Sequence, residues 1–235
     1  MKKYIKRQSL QNRIVHWGIA FSTFSLILSG IFQMPVAKRY MVNELPFLAW
    51  SGDYHTTLIV HYIGAFFLIF FIFFHLFFHL YRREFDIFPK RGDTLKSIQV
   101  IKAMLTGRKE PPSEKYLPEQ RLAYFGIGLV LLILIITGLI KTFKNLAGIN
   151  MPEWLYFWSA QIHNFGMILI ILGIIGHLAA FIFRENRNLL GGMFSGRVGA
   201  DYTLHRHSLW TEGCNEAKKA LKKDFNKENP SELGS

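Results

Sequence analysis

The sequence predicts an all-α integral membrane protein built as a four-helix transmembrane bundle. Three observations carry this. Half of the 235 residues are hydrophobic, and 22 are Phe. Four stretches, 14–37, 54–81, 122–140 and 154–183, hold no Asp, Glu, Lys or Arg over 24, 28, 19 and 30 residues, and a helix of about 20 apolar residues crosses a bilayer core. Of the 28 Lys and Arg, 24 fall in segments 1–13, 82–121 and 184–235, which a four-span topology places on one side. A soluble globular domain and a disordered chain are both excluded.

The first span is expected over about 14–35, closed by Pro35. Its apolar run is too long for a secretory signal, and no small-residue cleavage pattern follows it. A loop with Pro46, Gly52 and Asp53 leads to the second span, about 55–82, which stops at Tyr81-Arg82-Arg83. Asp93-Thr94 can cap a helix over about 93–106, with Leu95, Ile98, Ile101 and Leu105 on one face and Lys96 and Lys102 on the other. That pattern suits a helix lying on the membrane surface or packed on a partner subunit. Pro111, Pro112 and Pro118 break the chain before the third span, about 120–142, and the fourth covers about 154–184. These elements make one domain, 1–212. The charged remainder, 213–235, ending Pro-Ser-Glu-Leu-Gly-Ser, is expected to be disordered.

The net charge is +12. Its basic residues lie between and beyond the spans rather than interleaved with aromatics on one face, so they signal topology and not nucleic acid. The excess of Lys and Arg places both termini and the 82–121 loop in the cytoplasm. Cys214 is the one cysteine, which excludes an internal disulfide, a four-Cys iron–sulfur site and a covalently attached c-type haem.

The histidines carry the chemistry. An ionisable residue inside a span is costly and marks function by default, although a lone His commonly serves as a hydrogen-bonding residue between helices. His163 and His177 are fourteen residues apart, so they share a helix face and differ in depth by roughly 21 Å. His61 lies at the depth of His163, near the outer side, and His16 at the depth of His177, near the cytoplasm. Two imidazoles facing each other across a bundle can hold a haem iron from both sides, leaving no open position, so such a site carries electrons and binds no substrate. His61 and His75 are also fourteen apart, and spacing alone leaves either His16 or His75 to partner His177. His75 and His79, one turn apart, can instead contact propionates, quinone or interfacial water. A zinc site is disfavoured because two His at this separation cannot share one metal and no intramembrane Asp, Glu or Cys completes a set.

Arg13-Ile-Val-His16-Trp17 resembles the R-x-x-H-W opening of the cytochrome b (gamma) subunits of respiratory formate dehydrogenases. The single His early in the second span and the fourteen-step pair in the fourth are similar to that family as well. So are the tail from Gly196 through His205, His207 and Trp210, and Lys115-Tyr116 through Gln120-Arg121-Leu122, which departs from the family at Leu117 and Glu119. The resemblance covers the chain to about residue 212. It implies a four-helix subunit of the bacterial inner (cytoplasmic) membrane with two haems b, the outer held by His61 and His163 and the inner by His16 and His177. It further implies electrons arriving from an extracytoplasmic iron–sulfur subunit and its catalytic dehydrogenase subunit, and leaving to menaquinone or a related quinone near the cytoplasmic face. The chain would then be an electron-transfer subunit that does not itself oxidise formate. Cytochrome b subunits of nickel–iron hydrogenases and of thiosulfate or polysulfide reductases share the pattern.

Anionic haem propionates belong near the interfaces, where Arg and Lys can pair with them. Arg13, Arg82, Arg121 and Arg184 are candidates inside, and Lys38 and Arg39 outside, against the alternative of simple anchoring to lipid. Gln120, Arg121 and His207 are candidate neighbours of the quinone. Gly166, Gly173 and Gly176 can give clearance to a porphyrin or sit at helix contacts. Two other classes compete: a transporter using a His relay without haem, and a structural membrane anchor, which would need no paired His.

Overall fold

Capping groups explain where the helices begin and end. The computed structural model describes residues 3–145 and 149–228, and these are mostly helical. Helix α1 (Leu10–Gln33) starts earlier than the charge-free run because the Ser9 hydroxyl accepts the Asn12 N–H at 3.1 Å. Pro35 opens the short α2 (Pro35–Arg39), where its missing N–H costs nothing. Asp53 caps α3 (Tyr54–Arg82) by accepting the N–H groups of His55 and Thr56 at 3.3 and 2.9 Å. Arg83, left-handed at φ 53°, ends it. Helix α4 (Asp93–Thr106) lies between Gly92 at φ 88° and Gly107 at φ 65°, both in the region glycine favours. Its cap is therefore Gly92, and Asp93 serves elsewhere. Pro118 begins α5 (Pro118–Lys144), and the Gln120 side chain accepts the Leu117 N–H at 3.2 Å. Helix α6 (Glu153–Ala179) is shorter than the expected fourth span; tight 3-10 turns at Ala180–Ile182 and Arg184–Asn186 follow it.

The helices α1, α3, α5 and α6 (the last with its following turn) are long and apolar enough to cross a membrane, and only 11% to 22% of the residues in their most apolar windows are buried in the protein. Phe66, Phe73, Phe77 and Phe21 are each exposed by 66% or more. Lipid is the solvent that satisfies such a surface.

The chain divides into two compact units. One comprises Ile14–Arg83 and Leu129–Leu172. Within it small residues bring helices close: the Phe71 ring of α3 covers Gly18 of α1, Gly64 of α3 faces Ser25 and Leu26, and Gly166 of α6 faces Leu134 of α5.

The other unit comprises Met1–Arg13, Glu84–Gly128 and Gly173–Ser235. Here β1 (Tyr4–Lys6) pairs antiparallel with β2 (Arg197–Gly199), Tyr4 opposite Gly199. Gly196, at φ 78°, brings its carbonyl to the N–H groups of Arg7 and Gln8 at 2.8 and 3.1 Å, and a Cβ there would meet the Gln8 carbonyl at 2.8 Å. After α7 (Arg187–Phe194) and α8 (Ala200–Arg206), helix α9 (Thr211–Glu228) occupies most of the stretch expected to be disordered. Its Ala217 is fully buried against Ile5, Val198 and Ala200, with Ala220, Leu221, Leu204 and Trp210 around them. Apolar residues at three-to-four spacing, thinly spread among lysines, give this helix a packed side. The Pro-Ser-Glu-Leu-Gly-Ser ending lies outside the described residues.

Candidate metal centre

Helix α3 presents His61 and α6 presents His163 to each other, with ring centres 6.3 Å apart and ring planes 58° to one another. An imidazole nitrogen sits about 2 Å from a bound metal, and the ring centre lies about 1.2 Å behind it in a ring of bonds near 1.35 Å. Two imidazoles on opposite sides of one iron therefore have centres about 6.4 Å apart. The angle between planes is free, because each ring can turn about its own metal–nitrogen bond.

Which nitrogen is left free to bind a metal is set by side chains of α1 and α5. The Ser29 hydroxyl of α1 lies 2.9 Å from His61 Nδ1, and the Thr137 hydroxyl of α5 lies 2.9 Å from His163 Nδ1. Each hydroxyl donates its only proton to its own helix, Ser29 to the Ser25 carbonyl and Thr137 to the Ile133 carbonyl, both at 2.7 Å. What remains on each oxygen is a lone pair, so each histidine donates from Nδ1–H. The proton is then fixed on Nδ1, and Nε2 keeps the lone pair that a metal needs. The next residues repeat the symmetry: a Cβ on Gly30 would lie 3.7 Å from the His61 ring, and one on Gly138 3.3 Å from the His163 ring.

Lys141 stands one turn beyond Thr137 and Gly138 on α5, on the face that touches His163. It is only partly exposed, and its charge is felt at both His61 and His163. Among the described residues no ion pair involves it. Lys144, one turn on, rests on the Tyr156 ring at 3.5 Å.

Sequence reasoning missed Ser29, Thr137 and Lys141. The available signal was the repeated hydroxyl-glycine pair, Ser29-Gly30 and Thr137-Gly138, in the last third of two spans that carry neither His61 nor His163.

The other candidates are placed as follows. His16 meets the Trp17 ring edge-on at 5.3 Å, and His75 meets His79 at 4.3 Å. His177 belongs to the other unit, with the Phe181 ring at 5.9 Å. Arg82 lies over the Phe78 ring, and Arg13 donates to the Phe194 carbonyl. Lys38 and Arg39 end α2 at the surface, and Arg184 lines a surface cavity. Gly166 sits at a helix contact, and Gly173 meets Ile127.

Gln120, Arg121 and His207, expected beside a quinone, are engaged inside the protein. Arg121 is buried and holds both Asp93 carboxylate oxygens at 2.7 Å and the Tyr116 carbonyl at 2.9 Å. Its hydrogen bonds hold the Asp93 carboxyl below the usual carboxylate range. His207 is fully buried; its Nδ1–H donates to the Glu114 carbonyl at 2.6 Å and its Nε2 accepts from Arg7 at 3.0 Å. Burial, with the nearby Arg7 charge, pushes its pKa down to about 3. Gln120 accepts from Leu117 and, at 3.5 Å, from Arg7.

Among the described residues no three His, Cys, Asp or Glu side chains cluster. Two protein ligands are too few for a structural zinc, which takes four, but they suffice for an iron whose other four nitrogens come from a porphyrin. Residues 3–196 match the family model of prokaryotic cytochrome b561. The chain belongs to that family. No curated protein matches it. As a prokaryotic cytochrome b561 it is a membrane cytochrome b of electron transport, and its cofactor is haem b. The His61–His163 pair fits that group in separation, in nitrogen and in ligand number.

Proposed function

We propose that this cytochrome b561 is the di-haem membrane subunit of a respiratory formate dehydrogenase, carrying electrons from an extracytoplasmic iron–sulfur partner to menaquinone. The observation that carries the reading is the facing pair of His61 and His163 with both Nδ1 atoms tied to hydroxyls. A histidine that merely bridges helices has no reason to face, at 6.3 Å between ring centres, a second histidine tied to a hydroxyl in the same way. His61 and His163 hold one haem b, and His16 and His177 the second, in line with the R-x-x-H-W opening and the fourteen-residue step. Bound haem b supplies reversible one-electron transfer with no open coordination position. Ser29 and Thr137 hold the Nδ1 protons, and Lys141 sets a positive charge beside the first site. The basic segments 1–13, 82–121 and 184–235 lie in the cytoplasm of a bacterial inner-membrane protein, so electrons enter at His61–His163 and leave toward the basic side.

A pyridine haemochrome assay on the purified chain, with a reduced-minus-oxidised spectrum, tests the reading; two low-spin haems b per chain are expected. No haem absorbance would return the histidines to a proton relay. Purification from native membranes identifies the partner. A nickel–iron hydrogenase or a thiosulfate or polysulfide reductase would replace the formate assignment and keep the di-haem site.

A further inference from the structure

Three cations converge on one cavity beside α4. Arg108, Lys109 and Arg184 line a cavity of about 400 Å³, together with Met104, Tyr202 and Arg206. Among the described residues none of the three takes part in an ion pair. Two carboxylates share the wall, Glu110 and Glu185. Glu110 is held by Arg206 at 2.7 Å, and Arg206 in turn is bound to Asn186 at 2.7 Å. That pair cancels itself and fixes the wall, leaving three positive charges against the one negative charge of Glu185.

The helix that leads into this cavity is turned outward. Leu95, Ile98, Ile101 and Leu105 are 70%, 57%, 43% and 68% exposed, while Ser97, Val100 and Ala103 are buried on the opposite face. Lys96 and Lys102 are exposed beside the stripe. A water-facing helix would reverse this arrangement. An outward apolar stripe flanked by lysines, in a chain with four candidate spans, suits the boundary between headgroups and acyl chains. The stripe ends at Leu105, where the cavity begins with Met104 and Gly107.

We propose that this cavity binds the phosphodiester headgroup of an acidic glycerophospholipid, whose acyl chains lie along the Leu95–Leu105 stripe. Guanidinium and ammonium groups match phosphate oxygens, and basic pockets beside membrane helices recognise acidic headgroups. The proposal does not depend on which dehydrogenase is the partner. A neutral quinone ring would not call for three cations.

The test uses the delipidated full chain in detergent, titrated with dioctanoyl phosphatidylglycerol and dioctanoyl phosphatidylcholine and read by native mass spectrometry. Phosphatidylglycerol is expected to bind about tenfold more tightly, and an Arg108→Gln, Arg184→Gln double variant with unchanged circular dichroism to bring the two within about twofold. Leu105→Asn, which leaves the cations in place, is expected to weaken both lipids alike. Equal binding of the two lipids by the original protein overturns the proposal, as does an unchanged preference in the double variant. Full displacement of phosphatidylglycerol by millimolar inorganic phosphate marks a free-anion site and overturns it. Displacement by a short-chain quinone instead marks a quinone pocket and overturns it too.

Discussion

Thr137 accepts the Nδ1–H of His163 while giving its own hydroxyl proton back to Ile133 of its own helix. The two bonds together decide the tautomer of the histidine, because a hydroxyl that has already donated can only accept. Ser29 stands in the same relation to His61. The facing histidines of α3 and α6 are thus oriented by side chains of α1 and α5.

Removing either hydroxyl is therefore expected to loosen the haem without removing a ligand. Thr137→Val or Ser29→Ala should weaken haem retention about 10- to 100-fold, the range for partners that orient metal ligands. The midpoint potential of that haem should rise, since the bond to Nδ1–H makes the imidazole a stronger donor to ferric iron. Thr137→Ser should restore both properties. Haem titration of apoprotein and potentiometry check this; unchanged retention in Thr137→Val would show that the hydroxyl is only a helix back-bond.

The ligand variants separate the two sites. His61→Ala and His163→Ala should each halve the haem content and remove the same component of the spectrum. His16→Ala and His177→Ala should remove the other, and His75→Ala should leave both. Haem-to-protein ratios read the outcome directly, and a loss on His75→Ala with none on His16→Ala moves the ligand from α1 to α3.

Lys141→Met should lower the midpoint potential of the haem held by His61 and His163. A cation nearby disfavours the ferric form, which carries one more positive charge than the ferrous form, so removing it stabilises the oxidised state. A tenfold change in that equilibrium is about 59 mV for one electron. Lys141→Arg should keep the original potential, and a Lys141→Met protein with unmoved potential would place this charge outside the site's field.

The spans and the His61–His163 pair were legible because both rest on one-dimensional regularities, runs without charge and histidines at matched depth. Ser29 and Thr137 were not, since a hydroxyl in an apolar helix back-bonds to its own turn whether or not it also holds a histidine. Gln120, Arg121 and His207 have partners that the sequence does not show. Polar residues gathered near a basic interface look free to bind a ligand, but whether their partners are internal depends on contacts up to 200 residues away, as between Arg7 and His207. Helix α9 was hidden by its lysines, because Ala217, Ala220 and Leu221 are too few to outweigh them in any composition-based reading.

The buried pair of Arg121 and Asp93 should be a stability element. Arg121→Gln leaves the Asp93 carboxylate, 1% exposed, without its partner, and breaking a buried pair from one side costs about 3–5 kcal/mol. The Arg121→Gln, Asp93→Asn double variant should recover part of that loss. Amide hydrogen exchange across 84–128 measures both, and equal protection in the single variant and the original protein would count against the pair.

His207 gives the low-pH prediction. Its imidazole is held neutral with a pKa of about 3, against about 6.5 in an unfolded chain. Between those values the unfolded state binds a proton that the folded state refuses, so stability falls as pH falls. The contribution is fully present above pH 6.5 and declines by about 1.4 kcal/mol for each pH unit below it. At pH 5 the loss attributable to His207 is therefore about 2 kcal/mol. Asp93 does not confuse this window, since its carboxyl is held below the usual range and stays ionised at pH 5 in both states. A His207→Gln variant, whose amide can still donate to Glu114 and accept from Arg7, should start with lower stability at pH 7.5 and lose less on acidification. Thermal unfolding of both proteins at pH 7.5 and pH 5 gives the comparison. Parallel losses in the two would assign the acid sensitivity to the other histidines and refute this role for His207.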